Sequence, residues 1–161
     1  MDRRLGDKGF TLLEIVLVMV VFGLIFGMGI SVWMGILESR KVGVTRSILH
    51  TAENCLVNYV LQSHTVPPAA EGYTRWCLVK DAWGNRVKFE NVADGEPVHA
   101  RMSTKELRDR EGVHPGVVMV LVSMGPDGRQ DYSITEEYFD FRKGDDIHLY
   151  VTASELNLML L

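Results

Sequence analysis

The strongest constraint on this chain is one uncharged stretch. From Ile15 to Ile36, and on to Leu37, no acidic or basic side chain interrupts the apolar run. As a helix, such a segment spans the roughly 30 Å hydrocarbon core of a bilayer at about 1.5 Å per residue. An ordinary secretory signal is a poor match, because its apolar core is only about 7–15 residues long and a small-x-small cleavage site follows it. Here Gly35-Ile36-Leu37-Glu38 leads straight into an amphipathic helical pattern.

The chain is therefore built for two solvents. Arg3, Arg4 and Lys8, partly offset by Asp2 and Asp7, precede the apolar run and favour a cytoplasmic N-terminus. Arg40 and Lys41, beside Glu38, follow it. From about Gln62 to Leu161 the sequence mixes charge, turn residues and short apolar runs, enough for one modest core. The formal net charge is -4 and the basic residues are scattered, so no cationic stripe for a phosphate backbone is present and nucleic-acid binding is not expected.

Glu14 stands at the start of the apolar span, where a carboxylate costs a few kcal/mol and usually has a partner. One reading places it at the headgroups, where it also suits the helix dipole. The other pairs it with a cation. A cut after Gly9 would create an amine on Phe10, one helical turn from Glu14, and that amine would pair with this carboxylate or with a neighbouring subunit's.

Lys8-Gly9-Phe10-Thr11-Leu12-Leu13-Glu14 closely resembles the cleavage and methylation motif of type IV prepilins and type II secretion pseudopilins. The resemblance implies that a prepilin peptidase on the cytoplasmic side cuts between Gly9 and Phe10 and methylates the new amine, and that Glu14 serves assembly. A glycine at the cut lets the backbone approach an active site closely. The implied organisation is a cleaved leader over 1–9, a transmembrane and assembly helix over 10–37, its amphipathic continuation over 38–66, and a periplasmic β-rich domain over 67–161. These residues make the chain a substrate of processing and do not make it an enzyme.

Beyond the span, Ile36/Leu37, Val44, Ile48/Leu49, Ala52, Cys55/Leu56 and Tyr59/Val60 recur every three or four residues, which predicts that the helix continues with one apolar face. From Phe10 to about Leu61 it would be roughly 75–80 Å long, closed off by Pro67-Pro68. Gly23-x-x-x-Gly27 has the small-x-x-x-small spacing of packed membrane helices, although glycine is also simply common in such helices.

Strands are predicted over Tyr73 to Val79, Arg86 to Glu90, Val117 to Val122 and Ile147 to Thr152, with a fifth over Val98 to Met102. Asp81-Ala82-Trp83-Gly84-Asn85 reads as a hairpin connection, and Ser103-Thr104-Lys105-Glu106 as a capping box opening a short helix to Arg110. One long N-terminal helix laid on a small antiparallel sheet of about four strands is the simplest arrangement. The expected fold class is α+β, and the sheet resembles that of pilin-like ectodomains.

The resemblance extends past the leader. Asp81-Ala-Trp-Gly-Asn is similar to a D-P-W-G-x segment of major pseudopilins, with Ala82 where that family usually has Pro. Ser123-Met-Gly-Pro-Asp127-Gly and Asp145-Asp146-Ile147 resemble their later acidic signatures, and the segment Arg129 to Lys143 reads as an insertion between them. The resemblance implies a structural calcium held by Asp127, Asp145 and Asp146, hard oxygen donors suited to that ion. The alternative is plain turn chemistry at Asp127-Gly128 and Gly144-Asp145.

Cys55 and Cys77 are the only cysteines. In an oxidising compartment they would form a disulfide tying the helix to the first strand, or else remain as two buried thiols. Five scattered histidines show no H-E-x-x-H spacing, and there is no G-x-S-x-G elbow or P-loop.

The leading functional expectation is a pseudopilin of a type II secretion-like apparatus. It would sit in a bacterial inner membrane as a single-pass protein with its C-terminal domain in the periplasm. Its partners would be the peptidase, copies of itself and other pilin-like subunits, an inner-membrane assembly platform and the membrane. Two alternatives are a major or minor type IV pilin and a membrane-tethered binding or enzymatic module.

Overall fold

The computed structural model describes residues 11–68, 77, 79–93, 95–99 and 102–160. The chain divides into two units, Met1–Arg40 and Lys41–Leu161. The first helix, α1, runs from Leu12 to Ser63. In the first unit its apolar side chains are exposed on every side, Leu13, Leu17, Phe26 and Trp33 among them, and this helix is long and apolar enough to cross a membrane. A helix apolar all round is stable in lipid or in a large core and not in water.

In the second unit α1 becomes one-sided. Thr45, Leu49, Ala52, Leu56 and Val60 form its buried stripe, at the spacing that stacks side chains on one helical face. Val44, expected on that face, is 52% exposed, and Thr45 is fully buried in its place. The reason is a polar contact: the Thr45 hydroxyl accepts a hydrogen bond from the Ala82 amide at 3.2 Å. α1 ends at Ser63, close to the expected Leu61. His64 adopts the left-handed conformation (φ 55) that usually takes glycine after a helix, and its amide donates to the Val60 carbonyl at 2.8 Å.

The sheet contains β1 (Lys88–Asn91), β2 (Lys105–Arg108), β3 (Val113–Ser123), β4 (Ser133–Ile134), β5 (Tyr138–Asp140) and β6 (Ile147–Thr152). The long β3 organises it, pairing antiparallel with β1, β2 and β6. β5 pairs antiparallel with β4 but parallel with β2. The α+β layout stands, with a larger sheet than the four strands expected and one parallel pair in it.

β3 is buried without a break from Val117 to Ser123, which identifies a strand covered on both faces. Leu49, Ala52, Leu56 and Val60 of α1 join Phe89, Val118, Leu121, Val151 and Leu156 in one core. Leu107, Val117, Val120, Val122, Tyr132, Phe139 and Phe141 form a second. Truncating a fully buried residue such as Leu56 or Phe139 to alanine removes about 2–5 kcal/mol.

The segment Arg129 to Lys143 thus supplies Tyr132, Phe139 of β5 and Phe141 to that second core, while β4 is an exposed strand paired with β5. The helix expected over Ser103 to Arg110 is replaced by β2, because pairing with β3 on one side and β5 on the other outweighs the local capping signal. Ser103 instead turns to Glu96, whose carboxylate accepts from the Ser103 amide at 3.0 Å and hydroxyl at 2.9 Å. A true capping box lies at Thr152 and Glu155, where it opens the C-terminal helix α2 (Ala153–Met159).

Of the strand expected over Arg86 to Glu90, Lys88 to Glu90 fall in β1, which begins at Lys88 and ends at Asn91, while Arg86 forms an isolated bridge with Lys80. The expected strand over Tyr73 to Val79 lies outside the described residues except for Cys77 and Val79, neither of which is in a strand. Of the expected Val98 to Met102 strand, the described residues are Val98, His99 and Met102, and they form none.

Candidate processing site and carboxylate loop

Gly9 and Phe10 lie outside the described residues. Glu14 falls in the first turn of α1, with an exposed side chain. Thr11 caps that turn: its carbonyl accepts from the Glu14 amide at 3.0 Å and its hydroxyl from the same amide at 3.3 Å. A carboxylate at this end of a helix opposes the positive pole of the macrodipole. Gly23 and Gly27 sit further along the exposed helix, and a methyl group added at either would meet nothing within 4 Å.

In the second unit, the two loops marked by the sequence are joined through Asp81. This buried carboxylate accepts from the amides of Trp83 at 3.0 Å and Asn85 at 2.8 Å through Oδ1. Its Oδ2 accepts from the Ser123 hydroxyl at 2.6 Å. Gly84, at φ +90, completes the tight turn, since a positive φ is accessible to glycine at little cost. Asn85 then donates its side-chain amide to the Gly125 carbonyl at 2.8 Å. The 81–85 turn is thereby fixed to α1 through Thr45 and to the 123–128 loop through Ser123 and Gly125.

Directly beyond Gly125, Asp127, Asp131 and Asp145 each offer a carboxylate oxygen, all within 4.8 Å of one another and exposed. Two of the three residues named from the sequence, Asp127 and Asp145, are in this group. Asp131 joins them, and the signal for it was its place four residues after Asp127 in a turn-rich stretch. Asp146 is otherwise engaged: its Oδ2 accepts from the amides of Asp131 at 2.8 Å and Tyr132 at 3.0 Å. Burial raises the Asp146 pKa, with Asp131 and Asp145 adding to the effect against those two amide bonds.

Glycines make the convergence sterically feasible. A Cβ on Gly125 would lie 2.9 Å from Asp145 Oδ2, and one on Gly144 would overlap the Asp131 side chain. Three hard oxygen donors in a loop with no room for extra carbon suit a hard divalent cation, with carbonyls or water completing six to eight ligands.

Cys55 of α1 is disulfide-bonded to Cys77, with Cα atoms 5.5 Å apart. The bond anchors the segment after α1 to the helix itself.

The N-terminal arrangement has a counterpart among known families. Residues 4–30 match the prokaryotic N-terminal methylation motif. This methylation motif covers both sides of the Gly9-Phe10 bond, Glu14 and most of the uncharged run, and it supports the type IV pilin-like resemblance. No curated protein and no solved structure matches the chain.

Proposed function

We propose that this chain is a structural subunit of a pseudopilus in a type II secretion-like apparatus, cut by a prepilin peptidase between Gly9 and Phe10 and assembled through α1. The methylation motif over residues 4–30 carries this reading, because it leads directly into a helix whose apolar surface is exposed all round. Such a surface needs lipid before assembly and other helices after it. The processed amine of Phe10 and the carboxylate of Glu14 would neutralise each other between subunits in an apolar filament core.

The subunit reading is tested by site-directed cross-linking between α1 segments in cells with an intact assembly system. Wild type is expected to give a ladder of cross-linked multimers, and Glu14→Leu to remain in the membrane as monomer. A wild-type monomer that never cross-links overturns the reading and favours a tethered module. A ladder that requires pilus genes, and not secretion genes, assigns the subunit to a type IV pilus.

Asp127, Asp131 and Asp145 would hold calcium, which would draw the 123–131 and 144–146 loops together. Calorimetry tests this: wild type is expected to bind calcium, and Gly144→Ala to bind it weakly because the added methyl displaces Asp131. No heat of binding to the wild-type chain would reject the ion.

A further inference from the structure

The proposed cut between Gly9 and Phe10 falls one residue before Thr11, and the hydrogen bonds of Thr11 fix where α1 begins. In a helix each amide bonds the carbonyl four residues before it. A helix running further towards the N-terminus would therefore take the Phe10 carbonyl with the Glu14 amide, and the Gly9 carbonyl with the Leu13 amide. The Glu14 amide is committed elsewhere. It donates to Thr11 twice, to the carbonyl at 3.0 Å and to the side-chain hydroxyl at 3.3 Å.

The next amide, that of Ile15, makes a four-residue bond to the same Thr11 carbonyl at 3.3 Å, and α1 starts at Leu12. A side-chain oxygen that holds the amide three residues on, beside a carbonyl that accepts a helical bond, marks an N-cap residue. Upstream of Thr11 the nearest residues that cap helices are Gly9 and Asp7. A helix capped by Gly9 would engage the scissile carbonyl in its first bond, and one capped by Asp7 would enclose the Gly9–Phe10 bond in its first turn.

We propose that Thr11 is a positioning residue for leader removal, whose cap stops α1 short of Phe10 and leaves the Gly9–Phe10 bond open to the peptidase. The inference rests on the processing reading of the methylation motif and adds to it a residue outside the cut. Hydrolysis breaks the bond between the Gly9 carbonyl carbon and the Phe10 nitrogen, with water supplying the oxygen of the new Gly9 carboxylate and a proton to the new Phe10 amine. That carbonyl must be free of helical bonding for the water to reach it. Thr11 is exposed, so replacing it opens no cavity and acts through the cap.

Two substitutions separate capping from direct recognition of the threonine by the enzyme. Thr11→Val keeps the shape and removes the acceptor, whereas Thr11→Asn changes the shape and keeps a capping oxygen. The full chain is presented in membranes that contain prepilin peptidase, and the initial rate of leader removal is measured. Wild type, Thr11→Ser and Thr11→Asn are expected to be cut at similar rates, and Thr11→Val about fivefold more slowly. Amide hydrogen exchange of the uncut chains in micelles is expected to show protection reaching further towards Gly9 in Thr11→Val than in Thr11→Asn.

Wild type cut at Gly9–Phe10, with Thr11→Val cut as fast or Thr11→Asn as slow as Thr11→Val, would overturn the positioning role and leave the processing reading intact. A wild-type chain that the peptidase leaves uncut would overturn both.

Discussion

The Ser123 hydroxyl donates to the Asp81 carboxylate at 2.6 Å, and this contact joins the turn after Val79 to the end of the central strand. Asp81 also holds the amides of Trp83 and Asn85, so three donors depend on one buried side chain. Asp81→Ala leaves them without that acceptor and should lower stability by about 3 kcal/mol, since each buried unsatisfied group costs about 1–3 kcal/mol. Ser123→Ala should cost about 1 kcal/mol. Urea unfolding of the two variants checks the order; equal, negligible losses would remove Asp81 from its structural role.

Thr45 and Val44 offer a paired test of how α1 faces the domain. Thr45→Val keeps the shape but leaves the part-buried Ala82 amide without its acceptor, an expected loss of about 1 kcal/mol. Val44→Ser, on a half-exposed position, should change stability by less than about 0.5 kcal/mol. Thermal unfolding separates the two.

The exchange of Val44 for Thr45 shows how far the sequence could be read. The long helix, its uncharged half and the continuous apolar β3 were legible because hydrophobic period and charge report directly on environment. Thr45 was not, because a polar residue enters a core only when a distant backbone amide needs it, and that amide lies far along the chain. The same limit explains the two S/T-x-x-E segments. Ser103 to Glu106 carries the capping pattern but is claimed by strand pairing on both sides, whereas Thr152 to Glu155, free of such competition, caps α2. In the carboxylate loop, Asp127 and Asp145 were named through the resemblance to pseudopilin acidic signatures, but which third acid joins them depends on how the chain folds between them. The second core was hidden because Tyr132, Phe139 and Phe141 stand apart in a polar stretch.

The Cys55–Cys77 bond closes a sequence separation of 22, worth about 3 kcal/mol in the chain-entropy model. Thiol titration of unfolded, unreduced protein from its native compartment should find no free thiol. A Cys55→Ser, Cys77→Ser double variant should unfold at lower urea concentration. Two titratable thiols in the native protein would contradict the bond.

Tyr132 makes the domain sensitive to alkali. Burial raises its phenol pKa, helped by the charge of Glu90, to which the hydroxyl donates at 3.0 Å. An acid with a raised folded-state pKa keeps its stabilising effect below the unfolded value of about 10 and loses it as pH climbs above that. Ultraviolet titration should find one tyrosine that ionises only on unfolding, and Tyr132→Phe should remove that class. A Tyr132 that ionises with exposed tyrosines would refute its burial against Glu90.

The central claim is that the N-terminus is processed for assembly, and the most direct measurement is intact mass with N-terminal sequencing of the protein from native membranes. A chain beginning at methylated Phe10 is expected in wild type, and the uncut leader in Gly9→Val or in a peptidase-deficient strain. A wild-type chain that still begins at Met1 would contradict the account and make α1 a simple membrane tether.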